Sequence, residues 1–348
     1  MGHDKIQWAP YPDPNLCSGG IGMEQQGNRA ENIEPTPAKR RRRLFAFFID
    51  SLILAAPLMA GGLVYFDQSV ALGEWGRLLG FTVGVLYFTV FDSAWGGGRS
   101  PGKRLRGIGV IRSDGGLLSP PMAALRASIL YAPIVLNGMS FGQDTPSIIA
   151  GIVCVLIFGF TLSLAYLWLF NRTRRSLHDL VAGAMVVDAR TPPAPFPRST
   201  WVVHRLVVAC LCALAFAAPF AVEQYGREVA GDQDLQAISN AVGSLPPVRA
   251  TEVVWTSTTP WGSTGGTVTF DGLHVLVNLR TRVTDSQALG RQIEDAIFVD
   301  HAAAVGDKQV VIVMRYGFDF GGVATAFTTF STKTSLAEWR RKTNRKDI

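Results

Sequence analysis

Charge is scarce in this sequence. Asp, Glu, Lys and Arg make up 17% of its 348 residues against 48% hydrophobic, and the mean hydropathy is positive at +0.21. That balance excludes an ordinary soluble enzyme and points to membrane segments. Cysteine is scarce too. Cys17 lies in a polar N-terminal stretch, while Cys154, Cys210 and Cys212 lie inside apolar runs. This spacing excludes a disulfide framework or a metal-ligand pattern and reads as small buried hydrophobes. Nowhere do a nucleophile, a base and an orienting group stand together. We therefore expect no catalytic residues, no cofactor, no metal and no enzyme activity.

Long apolar runs are what the chain has instead. Crossing a hydrocarbon layer of ~30 Å takes about 20 residues with few charges. Five windows qualify: 44–66, 78–95, 120–139, 148–170 and 201–222. The third contains Arg126, Pro133 and Asn137, so a re-entrant or interfacial helix is its alternative. The first begins too late in the sequence for a signal peptide of ordinary layout and reads as a retained span. Residues 1–39, with prolines, glycines and amides but no periodicity, read as a disordered cytoplasmic tail. Residues 189–200, containing TPPAPFPRS, read as a stiff linker.

Arg40, Arg41, Arg42 and Arg43 stand before the first span, where the positive-inside rule places them in the cytoplasm. Alternation then brings Arg99, Lys103, Arg104, Arg106 and Arg112, and later Arg172, Arg174 and Arg175, to the same side. The N-terminus is expected in the cytoplasm and residues 223–348 outside it. Residues 1–222 hold 20 Lys and Arg, of which this topology leaves only Arg77 at the outer side; residues 223–348 hold 13 against 14 Asp and Glu. The net charge of +6 is thus a topology signal suited to anionic lipid headgroups, with no call for nucleic acid.

After residue 223 the pattern changes. Strand-like stretches occur at 251–257, 266–270, 274–283, 309–316 and 323–330, and HVLVNLRTRV alternates as a half-buried strand should. Residues 286–301 put Leu289, Ile293, Ile297 and Phe298 on one helical face, and 335–341 can form a short final helix. The expected fold class is an α-helical membrane bundle of about five transmembrane helices followed by a small extracytoplasmic α+β domain. Trp255 and Trp261 read as core aromatics, with a binding surface as the alternative, and His274 and His301 as isolated histidines. His204 is placed at headgroup level.

Residues 97–103 fit the spacing G-x-x-x-x-G-K of a phosphate-binding loop. The context does not fit. Arg104 replaces the required Ser or Thr, Pro101 removes an amide, and the segment leads into a strand-like GIGVI instead of a helix. No nucleotide is expected. The stretch reads as a cytoplasmic turn, with Gly102 permitting the bend and Arg99, Lys103, Arg104 and Arg106 held against anionic headgroups.

Ionisable residues inside spans are costly enough to require a partner or a function. Asp50 follows Arg43 by seven residues, on nearly the same helical face. Arg126 falls at similar depth in the third span, so the two can pair, either as a structural tie between helices or beside a polar ion or proton path. Asp92, at the cytoplasmic end of the second span, either joins them or snorkels to water. His178 and Asp179, in RTRRSLHDLVAG, read either as a titrating pair sensing cytoplasmic pH or as a surface histidine beside a capping Asp.

Four segments occur in one order: RRLFAFFIDSLIL, RSPGKRLRGIGVIRSDGG, LRASIL and RRSLHDLVAGAMVV. Together they resemble the RDD family of bacterial membrane proteins, named for an arginine and two aspartates, over about residues 41–188. The resemblance implies Arg43 as the arginine and Asp50 as the first aspartate, with Asp179 as the second and Asp92 its alternative. Gly102 and Lys103 match the family's GK turn, and Arg126 a basic position of its third helix. It further implies a module of residues 40–188 in the bacterial cytoplasmic membrane, related to transport of a monovalent cation or proton. The long tail and the fifth span with its outer domain depart from the plain family pattern. They suit equally a non-transporting anchor for an envelope protein partner.

Overall fold

The computed structural model describes residues 35–138, 146–190, 194–196, 200–226, 232–258 and 270–344. Most of the expected tail, Cys17, Trp261, most of the expected outer loop at 142–146 and the strand read at 266–269 lie outside these residues. Helix α1 (Arg40–Val64) is followed after Tyr65 by the short α2 (Phe66–Leu72), and then by α3 (Trp75–Asp92). Next come α4 (Pro101–Leu105), β1 (Ile108–Arg112) and α5 (Pro120–Leu136). Both α4 and α5 open on a proline, whose missing N–H costs nothing in a first turn. Helix α6 (Ser147–Cys154) continues through a π-helical turn, Val155–Gly159, into α7 (Phe160–Phe170). The short α8 (Leu177–Val181) is closed by a capping box of Ser176 and Asp179. β2 (Ala184–Asp188) pairs antiparallel with β1, as the strand-like GIGVI suggested, and α9 (Val202–Gly226) follows.

Among the described residues, three helices are long and apolar enough to cross a membrane: Arg40–Val64, Ser147–Phe170 and Val202–Ala221. Helices α3 and α5 are shorter, at 18 and 17 residues. The third predicted segment thus ends at Leu136 instead of 139, a rise of ~26 Å against a hydrocarbon layer of ~30 Å. Within α9 only 6% of the apolar window is buried, so most of its side chains are exposed or half-buried, while Phe216 and Cys212 pack against Gly151 and Gly159. The cysteines correct an expectation. Cys210 is exposed, and Cys154 and Cys212 are half-buried, Cys212 lying against Gly159 of the π-helical turn, so none is fully buried as expected.

A separate sheet-containing region follows, built from α10 (Asp232–Gly243), β3 (Val248–Thr258), β4 (Phe270–Leu279), α11 (Ser286–Val305), β5 (Gln309–Asp319), β6 (Thr325–Ser335) and α12 (Leu336–Asn344). The sheet order is β3-β4-β5-β6. Its central pair, β4 and β5, is parallel and needs the crossover that α11 supplies; the outer pairs are antiparallel. Alternate residues Leu273, Val275 and Val277 join Val310, Ile312 and Met314 under Ile238 and Val242 of α10 and Leu289, Ile293, Ile297 and Phe298 of α11. Helix α10 was not foreseen, because its sparse apolar positions sit in the polar stretch DQDLQAISNAVG. Trp255, expected in a core, is 36% exposed with the Lys308 ammonium 4.5 Å from its ring.

The β5–β6 turn fixes this region to the helices. Phe318 packs where α1 carries Gly62, and Phe320 where α3 carries Gly80; a Cβ on Gly80 would lie 2.0 Å from the Phe320 carbonyl oxygen. Arg77 of α3 binds Asp319 at 2.5 Å, and Tyr316 donates to Asp67 of α2 at 2.7 Å.

Candidate functional site

Helix α1 carries Arg43 and Asp50 on the face it turns toward α3, α4 and α8. Asp50 is fully buried, and three neutral groups donate to it: the Tyr87 hydroxyl at 2.9 Å, the Ser100 hydroxyl at 2.5 Å and the Gly102 amide at 2.8 Å. Among the described residues no cation pairs with it. The expected Asp50–Arg126 pair does not form, because α4 inserts its N-terminal turn against Asp50. Gly102 is essential to that insertion. A Cβ there would stand 2.2 Å from the Ala46 carbonyl oxygen and 2.9 Å from the Asp50 carboxyl carbon. Its role is close approach, not the bend expected of it.

Arg126 instead joins the other two aspartates. Its Nη1 binds Asp92 at 2.6 Å, while its Nε and Nη2 bind Asp179 at 3.0 and 2.7 Å. Asp179 also receives Arg43 at 2.5 Å, and Arg43 donates as well to the Arg174 carbonyl. Asp92 is fully buried and pairs also with Lys103, so it does not snorkel. Lys103 is 8% exposed. That burial removes it from the headgroup set expected of Arg99, Lys103, Arg104 and Arg106. Of the others, Arg104 and Arg106 are exposed, Arg104 donating to the carbonyls of Arg99 and Gly96 and Arg106 lying over the Phe45 ring; Arg99 is half-buried. The three cations Arg43, Lys103 and Arg126 face the three carboxylates Asp50, Asp92 and Asp179, so 3 − 3 leaves the cluster neutral.

His178 is buried, with Nδ1 3.0 Å from the Ser176 hydroxyl and Nε2 3.3 Å from Asp179. Burial pushes its imidazole down to about 3; Asp179 opposes this, while the charges of Arg126, Arg43 and Lys103 add to it. At neutral pH the ring is uncharged. Buried and held neutral, the ring fits neither the pH-sensing nor the surface-histidine reading, whereas Asp179 does cap α8 as the second reading expected. Burial would raise the Asp179 carboxyl, but a charged His178 ring, Arg43 and Arg126 outweigh it and hold the group well below the usual range. With the ring neutral, the two arginines supply that hold. Burial likewise lowers the Lys103 ammonium against the pull of Asp92. His204, half-buried at the start of α9, lies 2.9 Å from the Tyr166 hydroxyl, and His274 and His301 are half-buried outside the cluster.

The model of the RDD family matches residues 37–183. This segment is an RDD module of a membrane protein. It contains Arg43, Asp50, Asp92, Arg126 and Asp179, and within it Arg43 meets Asp179 and not Asp92. No curated protein and no solved structure matches the chain significantly. The RDD cluster borders a cavity of about 160 Å³ lined by Arg43, Phe47, Asp50, Phe88, Lys103 and Arg126 among others. Tyr87 and Ser100 were not singled out from sequence. They reach Asp50 from 37 and 50 positions away, separations at which no periodicity signals contact.

Proposed function

We propose that the RDD module is a five-span bundle in the bacterial cytoplasmic membrane that holds a proton or monovalent cation at Asp50. The single observation behind this is a buried carboxylate with three neutral donors and no cation, on the wall of a cavity large enough for several waters. With no cation in direct contact, Asp50 is the carboxylate of this neutral cluster that is open to a mobile cation or a proton. In this reading the end bearing Arg40 to Arg43 faces the cytoplasm. Exposed Trp95 and Trp201 mark that interface and exposed Trp75 the opposite one. The sheet region, seated on the Trp75 end, then lies outside and serves binding or sensing rather than catalysis.

The test is sodium-dependent proton flux in proteoliposomes of the full chain against Asp50→Asn. Flux in the wild type that the substitution abolishes is expected; equal flux in both, or none in either, removes the transport reading. A reporter after Ile348 scoring as cytoplasmic would overturn the topology. A second reading, an anchor for the outer region, draws on a different observation: Asp92 and Asp179 are each paired with two of the cations Arg43, Lys103 and Arg126, which suits a permanent tie between helices. It expects Asp50→Asn to lower abundance without changing ion tolerance, and loss of residues 223–348 to remove the phenotype.

A further inference from the structure

A second cavity, of about 400 Å³, opens between α7, α8 and α9 at the end of the bundle where the arginines gather. Its walls are apolar, with Leu180 and Val181 from α8 and Val208 from α9. One end is polar and holds Thr200, His204 and Arg205. Arg205 is exposed, and among the described residues no carboxylate lines the cavity. His204 takes its orientation from Tyr166, 2.9 Å from Nδ1, and from Trp201, packed edge-on at 5.7 Å. With Nδ1 engaged by Tyr166, Nε2 is the ring nitrogen left for a ligand.

Position and chemistry agree. Arg205 stands at the first turn of a helix whose next turns are apolar and outward-facing, so its guanidinium lies at headgroup depth when α9 spans a bilayer. Apolar walls below and donors above match a molecule with an acyl chain and a phosphate. We infer that this cavity binds an anionic phospholipid, its phosphate on Arg205, His204 and Thr200 and one chain along Leu180, Val181 and Val208. The site rests on the membrane reading above but not on transport. It has a structural consequence as well. Helix α8 turns Leu180 and Val181 to the lipid, while its opposite face places His178 and Asp179 in the charge cluster. An occupied cavity braces the helix that carries Asp179.

The test uses the delipidated full chain in neutral detergent, with its melting midpoint followed as phosphatidylglycerol, phosphatidylcholine or inorganic phosphate is added. Phosphatidylglycerol raises the midpoint saturably and phosphatidylcholine does not. Arg205→Ala weakens the half-saturating concentration roughly five-fold, the share of one basic contact at a lipid surface. Ala209→Phe, which fills the cavity from an exposed position without touching the charged end, abolishes the response and keeps the test open should the arginine variant fail to fold. Equal stabilisation by both lipids, or an unchanged response in both variants, overturns the site. Saturable stabilisation by inorganic phosphate alone reassigns it to a free anion and overturns the lipid assignment. Loss of proton flux with the lipid response intact would sink the transport reading and leave this one standing.

Discussion

Acidification should destabilise the RDD module through His178 before any aspartate is involved. The unfolded imidazole titrates at about 6.5, while in the folded chain burial and the charges of Arg126, Arg43 and Lys103 push it down to about 3. Between those two values the unfolded chain binds a proton that the folded chain refuses, so stability falls as pH falls and is fully regained above the unfolded value. At about 1.4 kcal/mol per proton per pH unit, the loss from pH 7 to pH 5 is about 2 kcal/mol, approaching about 5 kcal/mol across the whole window. Asp179 acts elsewhere. Its lowered carboxyl contributes stability that persists above its unfolded value near about 4 and disappears only below it. The assay is the unfolding free energy of the full chain in detergent at pH 7, 6 and 5, beside His178→Gln. The variant loses the slope that the wild type shows, with the remaining histidines contributing equally to both. Parallel slopes in the two proteins would mean that His178 is not held neutral, and the reasoning would fail.

The cluster yields further expectations in the same assay. Arg126→Met strips two buried aspartates of a shared cation and costs about 3 to 5 kcal/mol; adding Asp92→Asn recovers part of that, and no recovery would argue against a shared charge balance. Gly102→Ala drives a methyl against Ala46 and Asp50, costing about 1 to 3 kcal/mol for overpacking. The control is Gly61→Ala, where nothing lies within 4 Å; equal losses at both sites would refute the close-packing account. Gly80→Leu unseats Phe320 and exposes the β5–β6 turn to protease, while the pH slope set by His178 stays as in the wild type. An unaltered cleavage pattern would show that the turn is not held there.

What was legible followed from local pattern. The apolar runs announced α1, α7 and α9, and alternation in HVLVNLRTRV announced β4, because burial on one face writes a period into a sequence. Asp50, Asp92 and Arg126 were also named, since charge inside an apolar run is conspicuous, while Arg43 and Asp179 were named through the resemblance to the RDD family. Their pairing was not legible. Rise along two helices placed Asp50 and Arg126 at one depth but carried no information about azimuth, or about α4 entering between them. Helix α10 was missed for the opposite reason. Its three core positions, Leu235, Ile238 and Val242, are separated by polar residues that dilute the signal.

The stretch GGRSPGKR shows how a motif can be right in its chemistry and wrong in its partner. Spacing suggested an anion held by backbone amides, and context argued that no nucleotide could sit there. The structure has the anion within the chain. Ser100 and the Gly102 amide, at the first turn of α4, donate to Asp50, while Lys103 turns inward to Asp92. Pro101 costs nothing in this arrangement, because the turn needs one amide and one hydroxyl rather than a complete cradle. The same residues therefore bring α4 against α1 and leave Asp50 without a cation. Because Asp92 takes the lysine, Asp50 is held by neutral donors alone, and its charge is offset only at a distance by the surplus cation on Asp92 and Asp179.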